Sequence, residues 1–312
     1  MNEKKIIVFG SNGLVGSAVV RKLNKDNKYQ VTASTRNDTN LFKLEEVKSI
    51  IDKINPDVVL IAAAKVGGIH ANNTQRVEFL LENIKINMNI FEACIENSDI
   101  HIINLGSSCI YPLNSPNPIS ESEFMNGVLE KTNSPYAMAK LTSIELAEAM
   151  KAQYGHKITN LMPTNLYGPN DNFSLEFSHV IPGLMHRMHL AKINSENTFT
   201  AWGTGNPLRE FLFVDDLANA ISHIIENHIE SNLMNIGTNE EISIKELIKK
   251  IQNTVGFQGE VIFDKSKPDG NPRKLLDSTK VFNLGWKPEI YLDEGLKITY
   301  EWFVENQTKI RT

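Results

Sequence analysis

Apolar and polar residues alternate in blocks along the first half of this chain. The run KIIVFG (residues 5–10) is short, β-branched and stopped by glycine, and LVGSAVVRKL after it carries apolar residues at helical spacing. The same couplet recurs. YQVTAST (residues 29–35) predicts a second strand, LEEVKSIIDKI an amphipathic helix, and DVVLIAAA (residues 57–64) a third, fully buried strand. A helix over roughly residues 77–96, the strand HIINLGSS, a helix over residues 136–154 and the strand KITNLMPTNLYG (residues 157–168) complete the series. Strands that are apolar throughout and alternate with helices imply a parallel sheet covered on both faces. The predicted fold is α/β, a doubly wound parallel sheet of the Rossmann, dinucleotide-binding type over residues 1–168.

Beyond residue 168 the rhythm changes. NDNFSLEF is polar and loop-like, TFTAWGTG predicts a short strand and turn, and VDDLANAISHIIEN a capped helix. SIKELIKKIQNTVG predicts another helix, with Ser243 and Glu246 placed as a capping box. EVIFD reads as a strand and LDEGLKITYEWFVEN as a terminal helix. Residues 169–312 are therefore expected to form a smaller mixed α/β lobe for substrate, with some segments crossing back to the first domain.

Composition narrows the partners. A chain of 312 residues suggests about two domains, and 41% hydrophobic with 22% charged residues is ordinary for a globular protein. The net charge of -5 argues against a nucleic-acid surface, so an anionic ligand has to be met by a few local arginines. Two cysteines make no disulfide framework, which fits a reducing compartment. The first strand begins almost at Met1, leaving no room for a signal peptide, and no apolar stretch approaches membrane-helix length. The expected location is the cytoplasm.

GSNGLVG places Gly10, Gly13 and Gly16 between a strand and a helix, with Ser11, Asn12, Leu14 and Val15 between them. Gly10 permits a tight turn, Gly13 lets the backbone approach a diphosphate, and Gly16 lets the helix pack on the sheet. The helix N-terminus then offers free N–H groups to phosphates. At the end of the second strand stands Arg36, whereas the nearest acid, Asp38, comes two residues later. An arginine there accommodates a 2′-phosphate, so NADP is expected rather than NAD; a solvated arginine would look the same.

Tyr136 has a lysine four positions on, Lys140, in YAMAK. On a helix the two share a face, and a lysine so placed is expected to lower the phenol pKa and make it a proton donor and acceptor. An exposed helix face is the plain alternative. LGSSCIYP, at the end of the fourth strand, adds Ser107, Ser108 and Cys109. From residue type alone Cys109 is either a buried structural thiol or a reactive one, whereas Cys94, inside NIFEACIEN, reads as core. The histidines of HRMH, His186 and His189, suit a helical surface better than a metal site, and no metal site is expected.

GxxGxxG, Ser107, Tyr136 and Lys140 together resemble the extended short-chain dehydrogenase/reductase family, nucleotide-sugar branch. Longer stretches (AAAKVGGIHANNT, MPTNLYGPNDNF, SHVIP, REFLFVDD, SKPDGNPRKLLD) extend the resemblance to the branch's GDP-sugar 3,5-epimerase/4-reductases over most of the chain. The resemblance implies Tyr136 as acid/base at a carbonyl, Ser107 bonding the same oxygen, and Lys140 holding the nicotinamide ribose. It implies cofactor contacts from Ala62, Ala63 and Ala64, from Leu105 and Gly106, from Pro163, Thr164, Asn165 and Leu166, and from His179. Substrate contacts are implied for Ser108, Asn165, Arg187, Trp202, Arg209 and Asp277.

The implied reaction is epimerisation at C3 and C5 of GDP-4-keto-6-deoxy-D-mannose, then NADPH-dependent reduction at C4. Protons beside a ketone are acidified, so a thiol can remove them while Ser107 and Tyr136 steady the enolate oxygen. Cys109 is the implied base, and His179 the implied acid returning a proton to the opposite face. Asn12 stands where some relatives carry a basic residue, which leaves Arg36 nearly alone at the 2′-phosphate. Two rivals are a 4-reductase without epimerase activity on a related GDP-4-keto sugar (a 6-deoxy-heptose or 3,6-dideoxy sugar) and a non-catalytic NADP-binding regulator. The family also implies a homodimer packed through the helices near residues 77–96 and 136–154.

Overall fold

The predicted strands pair in parallel, side by side. In the computed structural model, which describes residues 3–267, 269–308 and 310, β1 (Lys4–Phe9) lies between β2 (Tyr29–Ser34) and β3 (Val58–Ile61). β4 (His101–Leu105) and β5 (Lys157–Pro163) follow β3 outward. Pro268, within the SKPDGNPRKLLD stretch, lies outside the described residues.

Alternation along β1 explains the two layers. Ile6 and Val8 face one side of the sheet and meet Ala18, Val19 and Leu23 of α1 (Leu14–Lys25). Ile7 and Phe9 face the other and meet Val47 and Ile51 of α2 (Leu44–Ile54). A short α3 (Ile69–Thr74) leads into α4 (Arg76–Cys94), whose Ile90, Phe91 and Cys94 join that second layer. α5 (Ser134–Tyr154) adds Ala147 and Met150. It starts two residues before the expected boundary, because Pro135 fits a first helical turn, where its missing N–H costs nothing.

Beyond β5 the chain builds β6 (Asn165–Tyr167), α6 (Val180–Ile193), β7 (Thr198–Trp202), β8 (Leu208–Arg209) and β9 (Phe211–Phe213). It then returns to the large sheet. α7 (Val214–Glu226) packs Leu217, Ile221 and Ile224 into the α1 layer, and β10 (Ser231–Ile236) pairs in parallel with β5 as a sixth strand. The apolar pattern does not predict that strand, since SNLMNI is broken by Asn232 and Asn235. Asn235 is nevertheless buried: it accepts from the Tyr111 hydroxyl at 2.6 Å and donates to the Ile119 and Asp277 carbonyls at 2.9 and 3.1 Å.

The remaining elements are β11 (Ile242–Ser243), α8 (Ile244–Val255), β12 (Glu260–Asp264), β13 (Arg273–Lys274), α9 (Thr279–Asn283) and α10 (Leu292–Glu305). β12 pairs with β7, and β8 lies between β11 and β13. Tyr167, Phe173, Met185, Phe199, Phe257 and Phe303 form the core of this lobe. The capping box opens α8 as expected, Ser243 Oγ accepting from Glu246 N–H and the Glu246 carboxylate from Ser243 N–H. The surface reading of His189 fails. α6 is buried on both sides, so His189 sits against Phe303 and meets the Tyr300 hydroxyl at 3.0 Å and the Gln307 amide at 2.9 Å.

Asp216, near the start of α7, has no exposed surface and accepts from the backbone N–H groups of Glu289 and Ile290 at 3.1 and 3.0 Å. These bonds fasten the segment ahead of α10 to α7. Asp216→Asn turns an amide donor against one N–H, and a loss of about 1–3 kcal/mol in urea unfolding is expected.

Candidate active site

The strand order places β2 on one side of β1 and β3 on the other, so the connections diverge at the C-terminal ends of β1 and β3. Ligands of doubly wound sheets bind at such a point. Gly10 sits there with φ of +85°, and a Cβ on it would lie 2.7 Å from the Ala63 backbone. A Cβ on Gly16 would lie 2.2 Å from the Gly10 carbonyl oxygen. Both positions therefore exclude a side chain. α1 begins after Gly13 with no side-chain cap, leaving its first N–H groups turned to the crevice. Ser11 is buried, and its hydroxyl has no hydrogen-bond partner. An uncapped helix end, a glycine turn and an unspent hydroxyl suit a dinucleotide diphosphate.

At the end of β2, Arg36 is exposed. Asp38 is exposed too, but its carboxylate is engaged by its own turn, accepting from the N–H and hydroxyl of Thr35 at 2.9 and 2.6 Å, and these bonds hold its carboxyl below the usual range. The acid that could have taken a ribose hydroxyl is spent locally, while the cation stands exposed beside it.

β4 delivers the next group. Past Leu105 and Gly106, Ser107 caps a short 3-10 turn over Ser108–Ile110, its hydroxyl accepting from the Cys109 N–H at 3.3 Å. Cys109 is buried. Lys140, on the inner face of α5, is also buried and donates to the Leu105 carbonyl at 2.7 Å. Its ammonium lies 5.7 Å from the centre of the Tyr136 ring, one turn earlier. Burial pulls the Lys140 pKa from 10.5 down to about 8.

The expectation that Lys140 lowers the Tyr136 pKa is not met. Burial pushes the phenol well above its ordinary range, and the neighbouring Cys109 adds to this. Tyr136 therefore rests protonated. Burial likewise pushes the Cys109 thiol up, while Lys274, a hydrogen bond from Ser107 and Lys140 pull it down. The sequence pattern assigns Lys274 no clear role. On β13 its neighbour Arg273 turns outward to Glu241 at 2.8 Å, and strand alternation sends Lys274 the other way, toward the thiol.

His179 precedes α6 and keeps an exposed surface, yet protein surrounds it closely enough to lower its imidazole pKa by desolvation. That combination describes a wall of a cleft. Arg187 and Arg209 are likewise partly exposed, each with its pKa lowered by desolvation. Arg187 packs between Phe199 and the exposed Trp202, 5.3 and 5.5 Å from the ring centres. Beside Arg209 lies Asp269, which accepts from Thr204 N–H and hydroxyl at 2.8 and 2.6 Å and so ties two cleft loops together. Asp277 acts locally, its carboxylate accepting from Thr279 N–H at 3.0 Å.

Among the other residues named from sequence, Ala62, Ala63 and Ala64 follow β3, and Pro163 ends β5. Asn165 and Thr164 donate to the Glu210 carbonyl at 2.8 and 3.3 Å, with Leu166 next along β6. Sequence reasoning missed Asn133, whose side-chain carbonyl oxygen is buried without a partner just before α5. It also missed Glu130, which burial alone would raise but whose bonds from Thr132 and Asn133 keep its carboxyl below the usual range. Among the described residues no group of three or more His, Cys, Asp or Glu could hold a metal ion, and no helix is long and apolar enough to cross a membrane.

Residues 6–237 match the family described as NAD dependent epimerase/dehydratase. The chain is 45% identical to GDP-L-fucose synthase 1 of Arabidopsis thaliana over 97% of its own length and 94% of that protein's. A GDP-L-fucose synthetase from Naegleria fowleri, solved with NADP bound, superposes with a TM-score of 0.88 at 29% identity, covering 100% of this chain and 97% of that one. A GDP-6-OMe-4-keto-L-xylo-heptose reductase from C. jejuni superposes with a TM-score of 0.92 at 31% identity, over 98% and 99%.

The lowered Lys140 pKa sets a pH limit. With its pKa at about 8, the cation is complete only well below that pH and is lost as pH rises through it, so kcat/KM for the dinucleotide should fall across this range. Lys140→Arg, charged at every working pH, should move that falling limb upward; a limb that stays in place would assign it to another group.

Proposed function

The chain belongs to the NAD dependent epimerase/dehydratase family, and from that premise we propose that it converts GDP-4-keto-6-deoxy-D-mannose to GDP-L-fucose with NADPH. One observation carries this reading. A buried thiol, Cys109, shares the end of β4 with the Ser107, Tyr136 and Lys140 that a carbonyl reductase needs. Reduction alone gives that thiol nothing to do, whereas removal of a proton beside a ketone does.

Cys109 takes the protons from C3 and C5, with Ser107 and Tyr136 donating to the C4 oxygen as negative charge develops there. His179 returns a proton to the opposite face. Burial leaves the pair as thiol and neutral imidazole at rest. Thiolate with imidazolium contains the same number of protons, so the reactive pair needs only a transfer between them, and Lys274 and Lys140 favour the thiolate side. Protonated Tyr136 then delivers a proton to the C4 oxygen. NADPH, when bound, supplies the hydride to C4. Gly10, Ser11, Gly13, Gly16 and Arg36 would hold its diphosphate and 2′-phosphate, and Lys140 its ribose. Arg187 and Arg209 meet the GDP diphosphate, where the fork of an arginine matches phosphate oxygens, and Trp202 offers a flat surface to the nucleotide.

Assembly and location follow from the surface and the thiols. Val77, Leu81 and Met88 are exposed on α4 and fall within about 40° of one another around the helix, and Met138 is exposed on α5, the helix that packs beside it. This apolar face supports a homodimer formed through α4 and α5. Two unpaired cysteines and the use of NADPH support a cytoplasmic location.

The likeness to the heptose reductase favours a second reading, 4-reduction without inversion. Cys109→Ser separates the two. The proposed epimerase should lose GDP-L-fucose formation by about 10²–10⁴-fold while binding NADPH normally, the usual contribution of a positioned base. Unchanged turnover in the variant would leave a simple 4-reductase.

A further inference from the structure

Glu210 follows Arg209, has no exposed surface, and plays no part in the chemistry above. One carboxylate oxygen accepts from the backbone N–H groups of Thr238 at 2.7 Å and Asn239 at 2.9 Å, just past β10. The other accepts from Leu276 N–H at 3.1 Å, just past β13. Its backbone carbonyl takes the Asn165 amide and the Thr164 hydroxyl, just past β5. Space is so tight that a Cβ on Gly237 would lie 2.3 Å from the carboxylate.

Three of the segments that meet at Glu210 bring a polar group to the cleft. Arg209 is its chain neighbour, Asn165 bonds its carbonyl, and Lys274 pairs in register with Arg209 two residues before Leu276. A buried carboxylate is costly unless it is fully hydrogen-bonded, and only an acceptor can satisfy three converging N–H groups. We propose that Glu210 is a positioning residue whose carboxylate sets the spacing of Arg209 and Lys274 for the sugar nucleotide. This rests on the function proposed above. The glycine loop and Arg36, at β1 and β2, make no contact with the Glu210 carboxylate, so dinucleotide binding through them is independent of it.

Glu210→Gln keeps the shape but turns an amide donor toward either Leu276 or the Thr238–Asn239 turn. Calorimetry with NADPH and with GDP, and KM for the keto sugar, should be read per NADPH-binding site. The expected result is GDP and sugar binding weakened about tenfold, the effect of roughly one lost hydrogen bond, with NADPH affinity held within about threefold. A variant that is less stable but whose NADPH-binding fraction takes GDP as the wild type does would overturn the proposal, since that is a purely structural role. If the variant does not fold, Gly237→Ala displaces the carboxylate while keeping its charge, and the same readings decide. A wild-type protein that binds NADPH but neither GDP nor the keto sugar overturns the function reading, and this proposal with it.

Discussion

Parallel pairing brings the C-terminal ends of all six strands to one edge of the sheet. Phe9 pairs with Ile61, Ile61 with Asn104, Leu105 with Leu161, and Pro163 with Ile236. The residues that leave these strands must therefore emerge side by side: Gly10, Ala62, Gly106 and Thr164. The glycine loop and the group of Ser107, Cys109 and Lys140 depend on that edge. The glycine turn needs the Ala63 backbone close by, and Lys140 reaches the Leu105 carbonyl only because α5 returns over β4 and β5. A polar seam holds that helix down, in which Asn104 donates to Asn160 at 2.8 Å and to Ser143 at 3.2 Å, and Ser143 to the Lys140 carbonyl at 2.8 Å.

Charge is arranged against the average. The chain carries -5 overall, yet Lys140 and Lys274 lie near the Cys109 thiol, Arg209 lies near Lys274, and Arg187 is a fourth part-buried cation, set against Phe199 and Trp202. Burial lowers the pKa of each, the expected direction for cations taken from water without enough partners. An anionic ligand restores that lost solvation. The same burial keeps Tyr136 a phenol and Cys109 a thiol, so the resting site holds its protons until substrate arrives.

Much of this is legible in the chain. Five strands of the large sheet are visible because short β-branched or apolar runs recur between helical segments, β1 and β3 being buried on both faces and β2 only part-buried at the edge, and the glycine loop because only glycine fits at Gly10 and Gly16. Tyr136 and Lys140 are visible by spacing. Cys109 is not: residue type leaves it between core and catalyst, and only resemblance gives it a role. β10 escapes because buried Asn235 is satisfied by Tyr111, Ile119 and Asp277, contacts more than 40 residues away along the chain. Lys274 and Glu210 escape for the same reason, since their meaning lies in segments that meet only after folding. Lys140 misleads in one respect, because proximity to a lysine suggests an acidic phenol and burial proves the stronger influence.

Inversion of the carbons beside the ketone by the thiol at the end of β4 separates the proposed chemistry from simple reduction. It is tested most directly by incubating the protein with GDP-4-keto-6-deoxy-D-mannose and NADPH in deuterated water and reading the product by NMR. The expected product is GDP-L-fucose carrying deuterium at both C3 and C5. A reduced but uninverted sugar with no deuterium at either carbon would contradict it.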